Sequence, residues 1–197
     1  MRNKILLILF IGLVFSGCVG VASKGIFGTG VSVALDPRTV GTQVDDSIMQ
    51  KNLAGRIVLM DKKHVLSVKT KVLDGRIFLT GKVDEPEEKI KITKLAWETS
   101  GARSIHNAIE IKGKSNFKST AKDILITTQL RTAMIFNKSI SAGNYTLETI
   151  NKKIYIFGIA MTKEERQEVV NEANKIYDVE KVIPSIYLAS ELSRSKF

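Results

Sequence analysis

The chain has 197 residues, a quarter of them charged, with a formal net charge of +10 at pH 7, one cysteine and two histidines. A lone cysteine excludes an internal disulfide. His64 and His106 are far apart, belong to no metal-spacing motif, and read as surface or strand residues. No glycine-rich phosphate loop and no paired catalytic carboxylates appear, so the composition favours a binding module over an enzyme, with no cofactor and no metal.

In chain order, Arg2 and Lys4 precede an apolar run at 5–15 and then Ser16-Gly17-Cys18. Eleven apolar or glycine residues are too few to span a bilayer. Basic residues followed by a short hydrophobic core predict a signal peptide over 1–17. The small residues before Cys18 resemble the lipobox of bacterial lipoproteins, with Phe15 where leucine is commoner. That resemblance makes Cys18 the acylated, palmitate-bearing first residue of the mature chain. The alternatives are a cleaved signal with an incidental Cys18, or an uncleaved anchor. Val19, rather than aspartate, follows the cysteine, which by resemblance to lipoprotein sorting favours the outer membrane. Residues 18–44, with five glycines after the cysteine and little periodicity, read as acylated terminus and flexible linker.

The rest of the chain is organised by an internal repeat with an offset of 77 residues. Ile77 aligns with Ile154, Gly81 with Gly158, Glu87-Glu88 with Glu164-Glu165, Ala96 with Ala173 and Ile109 with Ile186, without a gap. Upstream, Asp46 falls on Asp123, Leu53 on Leu130 and Ile57 on Met134, at helical spacing. Each unit therefore predicts helix, strand, strand, helix, strand, over 45–111 and 122–188. The strands are Val68-Lys69-Thr70 and Tyr145-Thr146-Leu147, then Ile77-Phe78-Leu79 and 154–157, and finally Ile105-Ile109-Ile111 and Val182-Ile186-Leu188. Gly81 and Gly158 end the central strand in both units, where a bulge or a tight backbone approach excludes a side chain. Thr162 with Glu165 makes a capping box for the second unit's later helix, and Pro86 suits a first helical turn in the other. Glutamates in those first turns are explained by the helix dipole rather than by catalysis. Along these helices Ile92, Leu95, Ala96 and Thr99, and Val169, Ala173 and Ile176, recur at core spacing.

The fold class is thus α+β: two tandem domains, each with two helices packed on a three-stranded mixed sheet. The second domain extends over 122–190, a basic linker occupies 112–121, and 191–197 is a tail. A 67-residue unit buries only a modest core, so its stability is limited unless the two units dock.

Charge is concentrated locally. Removing Arg2 and Lys4 with the signal leaves +8, while the two repeats carry only +2 and +1. Between 112 and 140 there are six basic residues, Lys112, Lys114, Lys118, Lys122, Arg131 and Lys138, against Asp123 alone. This collar fits an anionic lipid surface, nucleic acid, or a plain solvated linker. An exported protein rarely meets nucleic acid. The helix inside the collar has Ile126, Leu130, Ala133 and Met134 as its core stripe, leaving Ile124, Leu125, Ile135 and Phe136 beside or outside it. The first repeat has Ser47, Ile48, Val58 and Leu59 at those four positions. A surplus apolar edge beside cations is the composition of an interfacial helix, unless those residues bury against the first repeat.

The lipobox, the segment DPRTVGTQVDD at 36–46, the two repeats, and the D-x-x-I-T-T opening at 123–128 together resemble the dual BON-domain outer-membrane lipoproteins. The resemblance covers essentially the whole mature chain. It implies a lipid-anchored protein of the periplasmic face of the outer membrane, linked to envelope integrity and cell division. It further implies that the second BON domain binds anionic phospholipid through its first helix. The residues so implicated are Lys122, Ile124, Leu125, Thr128, Gln129, Arg131, Thr132 and Phe136. Leu125 stands where relatives carry an aromatic, which implies shallower insertion. The competing expectation is an adaptor or structural module of the periplasm that docks a protein partner with the same helix.

Overall fold

The computed structural model describes residues 36–113 and 117–193. The signal peptide, Cys18, the linker before residue 36 and Lys114 lie outside the described residues, as does the side chain of Lys118. Domain 1 runs α1 (Val40–Met60), a helical turn α2 (His64–Ser67), β1 (Val68–Leu73), β2 (Arg76–Val83), α3 (Pro86–Trp97) and β3 (Ser104–Ile111). Domain 2 repeats it as α4 (Phe117–Phe136), a 3-10 turn (Ala142–Asn144), β4 (Tyr145–Ile150), β5 (Lys153–Ala160), α5 (Lys163–Lys175) and β6 (Lys181–Leu188). In each sheet the second strand is central, antiparallel to the first and parallel to the third.

The central strands alternate. Ile77 and Leu79 point to α1 and α3, joining Leu53, Ile57, Ile92 and Ala96 in one core. Ile154 and Ile156 do the same in domain 2, with Leu130, Met134, Val169 and Ala173. The opposite faces of the two sheets meet. Leu73 and Phe78 from domain 1 pack with Ile150, Tyr155 and Phe157 from domain 2, and the Phe78 and Phe157 ring centroids are 4.6 Å apart. Docking therefore supplies a third core that neither small unit has alone. His106 stacks on Phe78 at 4.9 Å and shares a 3.0 Å hydrogen bond with Tyr187, over whose ring the Arg76 guanidinium sits at 4.1 Å. Polar groups close the rim. Glu110 accepts from Asn151 at 2.6 Å and from Lys153 at 2.9 Å, and Lys69 pairs with Glu148 at 2.6 Å.

The hairpin turns explain why an aspartate recurs early in each long helix. Both turns hold two residues at positive φ, Asp74 with Gly75 and Asn151 with Lys152. Their N–H groups point inward, as in the tight turns that suit the twist of paired strands. Asp46 accepts from Asp74 N at 2.7 Å and Gly75 N at 2.9 Å; Asp123 accepts from Asn151 N and Lys152 N, both at 2.9 Å. Both carboxylates are buried, so each N–H pair is satisfied without water.

Three sequence expectations change. The stretch read as linker through 44 is folded from residue 36 onward. Thr39 caps α1 by accepting from Thr42 N at 3.2 Å, and Arg38 binds Asp36 and Asp46, each at 2.6 Å. An ion pair buried against the hairpin's own anchor gives this segment a fixed place. Likewise α4 begins at Phe117, inside the stretch read as a basic linker. His64 is neither a surface nor a strand residue: it is buried in α2, which crosses over β2.

Candidate functional site

The first helix of domain 2 is placed by three contacts. Asp123 holds the β4–β5 turn, Thr127 donates to Thr149 at 2.7 Å, and Ile126, Leu130 and Met134 are buried on the sheet. With that stripe fixed inward, the opposite face is set by helical geometry. Ile124, Leu125, Ile135 and Phe136 are 63%, 56%, 64% and 80% exposed, so they do not bury against domain 1. Thr128, Gln129, Arg131 and Thr132 are exposed between them. The two apolar pairs are eleven residues apart, about 16 Å along the axis at 1.5 Å per residue. The face therefore has apolar ends and a middle of hydroxyls, an amide and a guanidinium.

The sequence-predicted lipid contacts Lys122, Ile124, Leu125, Thr128, Gln129, Arg131, Thr132 and Phe136 all lie exposed on this one helix. Their charges differ in availability. Lys122 pairs with Asp178 at 3.1 Å, and Lys152 and then Lys122 hold that carboxyl below its usual range. Arg131 forms no ion pair among the described residues. The only acid on the described part of α4 is the buried Asp123, so the exposed face is free of negative charge. Thr128 donates to Ile124 O at 2.9 Å, which engages its hydroxyl within the helix. A groove of about 580 Å³ flanks the helix at Ile124 and Thr128, with Leu66, Lys69 and Lys82 on the domain 1 side. Its cations are already engaged, Lys69 by Glu148, Lys82 by Asn151 at 2.7 Å and Lys112 by Asp84 at 2.9 Å.

Both long helices expose apolar residues, since α1 exposes Val40, Val44, Ile48 and Leu59. What separates the two faces is charge. Helix α1 exposes Asp45 with Lys51, whereas α4 exposes Lys122 and Arg131 with no acid.

Gly81 and Gly158 lie away from this face, in the central strands. A Cβ on Gly81 would stand 2.0 Å from Ser67 O, and its φ is +128°. A Cβ on Gly158 would stand 2.3 Å from the Tyr145 ring and 2.8 Å from Asn144 O, at ordinary φ. The turn joining the long helix to the first strand crosses the glycine in both domains. Sequence reasoning missed the roles of Asp46 and Asp123, although a buried-spacing acid recurring at one repeat position was the available signal. No helix among the described residues is long and apolar enough to cross a membrane. The glutamates in the first turn of α5 are used structurally: Glu165 is buried and accepts from Met161 N and Ser141 N, both at 2.8 Å.

The BON domain pattern matches residues 45–113 and 122–189. A protein of Haemophilus influenzae, outer membrane lipoprotein DolP, is 27% identical over 92% of this chain and 93% of its own length. An uncharacterized protein encoded in the gshII 5' region of Anaplasma centrale is 30% identical over 62% of this chain and 82% of its own. The 21 kDa hemolysin of Actinobacillus pleuropneumoniae is 24% identical over 77% of this chain and 78% of its own. Among solved structures, the C-terminal domain of CdsD from Chlamydia trachomatis aligns over 73% of this chain and 66% of its own, with a TM-score of 0.28 and 11% identity.

Proposed function

Since the chain belongs to the BON-domain family, we propose that it is an envelope-associated lipoprotein, anchored through Cys18 at the periplasmic face of the outer membrane, whose second BON domain contacts anionic phospholipid through the exposed face of α4. The near full-length similarity to outer membrane lipoprotein DolP supports the location and the anchor. The observation that carries the lipid contact is the exposed, acid-free face of α4, with apolar pairs at Ile124-Leu125 and Ile135-Phe136.

The face is suited to lie along a membrane. Its two apolar ends enter the headgroup boundary together, and each fully buried large apolar side chain contributes roughly 1.5–3 kcal/mol. Arg131 between them meets anionic headgroups at about 1 kcal/mol near a charged surface. Lys122 adds less, because leaving Asp178 offsets part of its gain. Such a contact is weak alone. A lipid tether raises its effective concentration, so weak contact is enough to hold the domain against the membrane.

Co-sedimentation of the 19–197 fragment with vesicles, with and without anionic lipid, tests the reading. Leu125→Glu removes buried apolar area and adds repulsion, and is expected to weaken binding about tenfold or more. Ile48→Glu on α1 is expected to leave lipid affinity unchanged in folded protein. Equal binding by folded Leu125→Glu and wild type would overturn the assignment to α4. Capture of a protein partner with no vesicle binding would favour the adaptor instead.

A further inference from the structure

We propose that domain 1 carries a divalent transition-metal site formed by Asp61, His64 and Glu88, with Zn²⁺ the best-suited ion. Asp61 ends α1, His64 opens α2 three residues later, and Glu88 sits in the first turn of α3. One carboxylate oxygen from each acid and a ring nitrogen of His64 lie within 4.8 Å of one another. Nitrogen and oxygen ligands about 2 Å from a tetrahedral ion stand roughly 3–3.5 Å apart, so closure asks about an ångström of each side chain.

His64 is the group that points to a ligand. It is 1% exposed, and its Nε2 is buried with no hydrogen-bond partner among the described residues. Nδ1 faces Ser67 Oγ at 3.5 Å, which leaves Nε2 as the nitrogen available to coordinate. An orphaned ring nitrogen in the interior is unfavourable, and a metal bond satisfies it while Ser67 engages the other ring nitrogen.

The second repeat is the internal comparison. At the 77-residue offset Asp61, Lys63, His64 and Glu88 become Lys138, Ile140, Ser141 and Glu165. There the corner is closed by hydrogen bonds, since Glu165 accepts from both Met161 N and Ser141 N. In domain 1, Glu88 keeps the matching bond to Asp84 N at 2.9 Å, but its other oxygen faces a cation, Lys63 Nζ, at 2.5 Å. The same ammonium lies 3.1 Å from Asp84 and 3.5 Å from Asp61. Domain 1 has thus turned a hydrogen-bonded corner into a cation cup that already holds a charge. Lys63 is on a flexible stem with its side chain 41% exposed, so it can swing to solvent. A dication entering in its place gains the His64 Nε2, which no donor among the described residues reaches while Lys63 fills the cup. The mixed nitrogen and oxygen set suits Zn²⁺ or Cu²⁺, whereas Mg²⁺ and Ca²⁺ prefer oxygen alone. Occupancy would tie the end of α1 to the start of α3.

The full chain in detergent micelles, stripped with a chelator and titrated with zinc chloride, tests the site through imidazole ¹⁵N signals. With two histidines in the chain, the spectrum resolves each ring. The expected result is saturable movement of the His64 signals with those of His106 unmoved, and no response to magnesium chloride. Asp61→Asn removes an exposed ligand and should weaken zinc binding about tenfold or more. Lys63→Met removes the competing ammonium and should tighten it by about fivefold or more. Unmoved His64 signals at millimolar zinc, zinc bound elsewhere with His64 unmoved, or equal affinity in Asp61→Asn would each overturn the proposal.

Discussion

Domain 1 and domain 2 are alike inside and different outside. Each has an aspartate gripping a two-residue turn, a glycine under the crossing connection, and a central strand buried on both faces. They diverge at the corner where Glu88 meets Lys63 but Glu165 meets backbone, and on the outer face of the long helix. The repeat thus separates what holds the fold from what a domain does. Residues that satisfy buried backbone or fill the core cannot drift independently, whereas an exposed face can change charge at little cost.

The strongest break in this comparison is at the surface the domains share. Phe78 is 1% exposed and brings domain 1's ring against Phe157 of domain 2 in the interface core. Phe78→Ala is expected to cost about 3–5 kcal/mol and to uncouple the domains. Trp97, the only tryptophan, lies in domain 1 and reports on that domain by fluorescence, while circular dichroism reports on both. In urea the two probes should coincide for wild type and separate for the variant. A small loss with coincident curves would mean that the domains are held by the polar rim rather than by the aromatic contact.

The glycines sharpen the comparison. Gly81→Val meets both a positive φ and the Ser67 carbonyl, while Gly158→Val meets first the Tyr145 ring, which can shift. Gly158→Val is expected to cost about 1–3 kcal/mol, and Gly81→Val more than that, by thermal or chemical denaturation. Equal losses would mean that the backbone at position 81 relaxes freely.

Much of the frame was legible because a gapless repeat shows the same pattern twice. The sheet, its core stripe and the exposed apolar positions of α4 follow from spacing in Ile126, Leu130 and Met134. The docking of the sheets was written more faintly, in strands such as Ile77-Phe78-Leu79 that are apolar on successive residues and so have no solvent side. Other features were not legible, because they depend on distance in space. Asp46 reaches a turn 28 residues on, and Arg38 reaches Asp46 from a stretch with no periodicity. Asp61, His64 and Glu88 come together only when α3 folds back beside α2. The charge contrast between α1 and α4 needed burial to remove Asp123 from the exposed count.

The smallest effect expected is one of pH, and it also tests the shared face. His106 sits between Phe78 and Tyr187, and desolvation there, with the nearby Arg76 guanidinium, lowers its pKa below the usual value. Burial and the Arg76 guanidinium both oppose a charge on the ring, so the neutral ring is the form the interface accepts. In the unfolded chain the ring titrates near the ordinary histidine value of about 6.5. As pH falls through that value, the unfolded state takes up a proton that the folded state resists, so stability declines until the folded pKa is passed. Above about 7 the group contributes no slope. His106→Phe keeps a ring to stack on Phe78 and removes the titration. The difference in unfolding free energy between wild type and His106→Phe should therefore shift against wild type between roughly pH 7 and pH 5, and stay level from pH 7 to pH 8. A level difference across the whole range, or a shift of opposite sign, would mean that a protonated ring is accepted between the sheets.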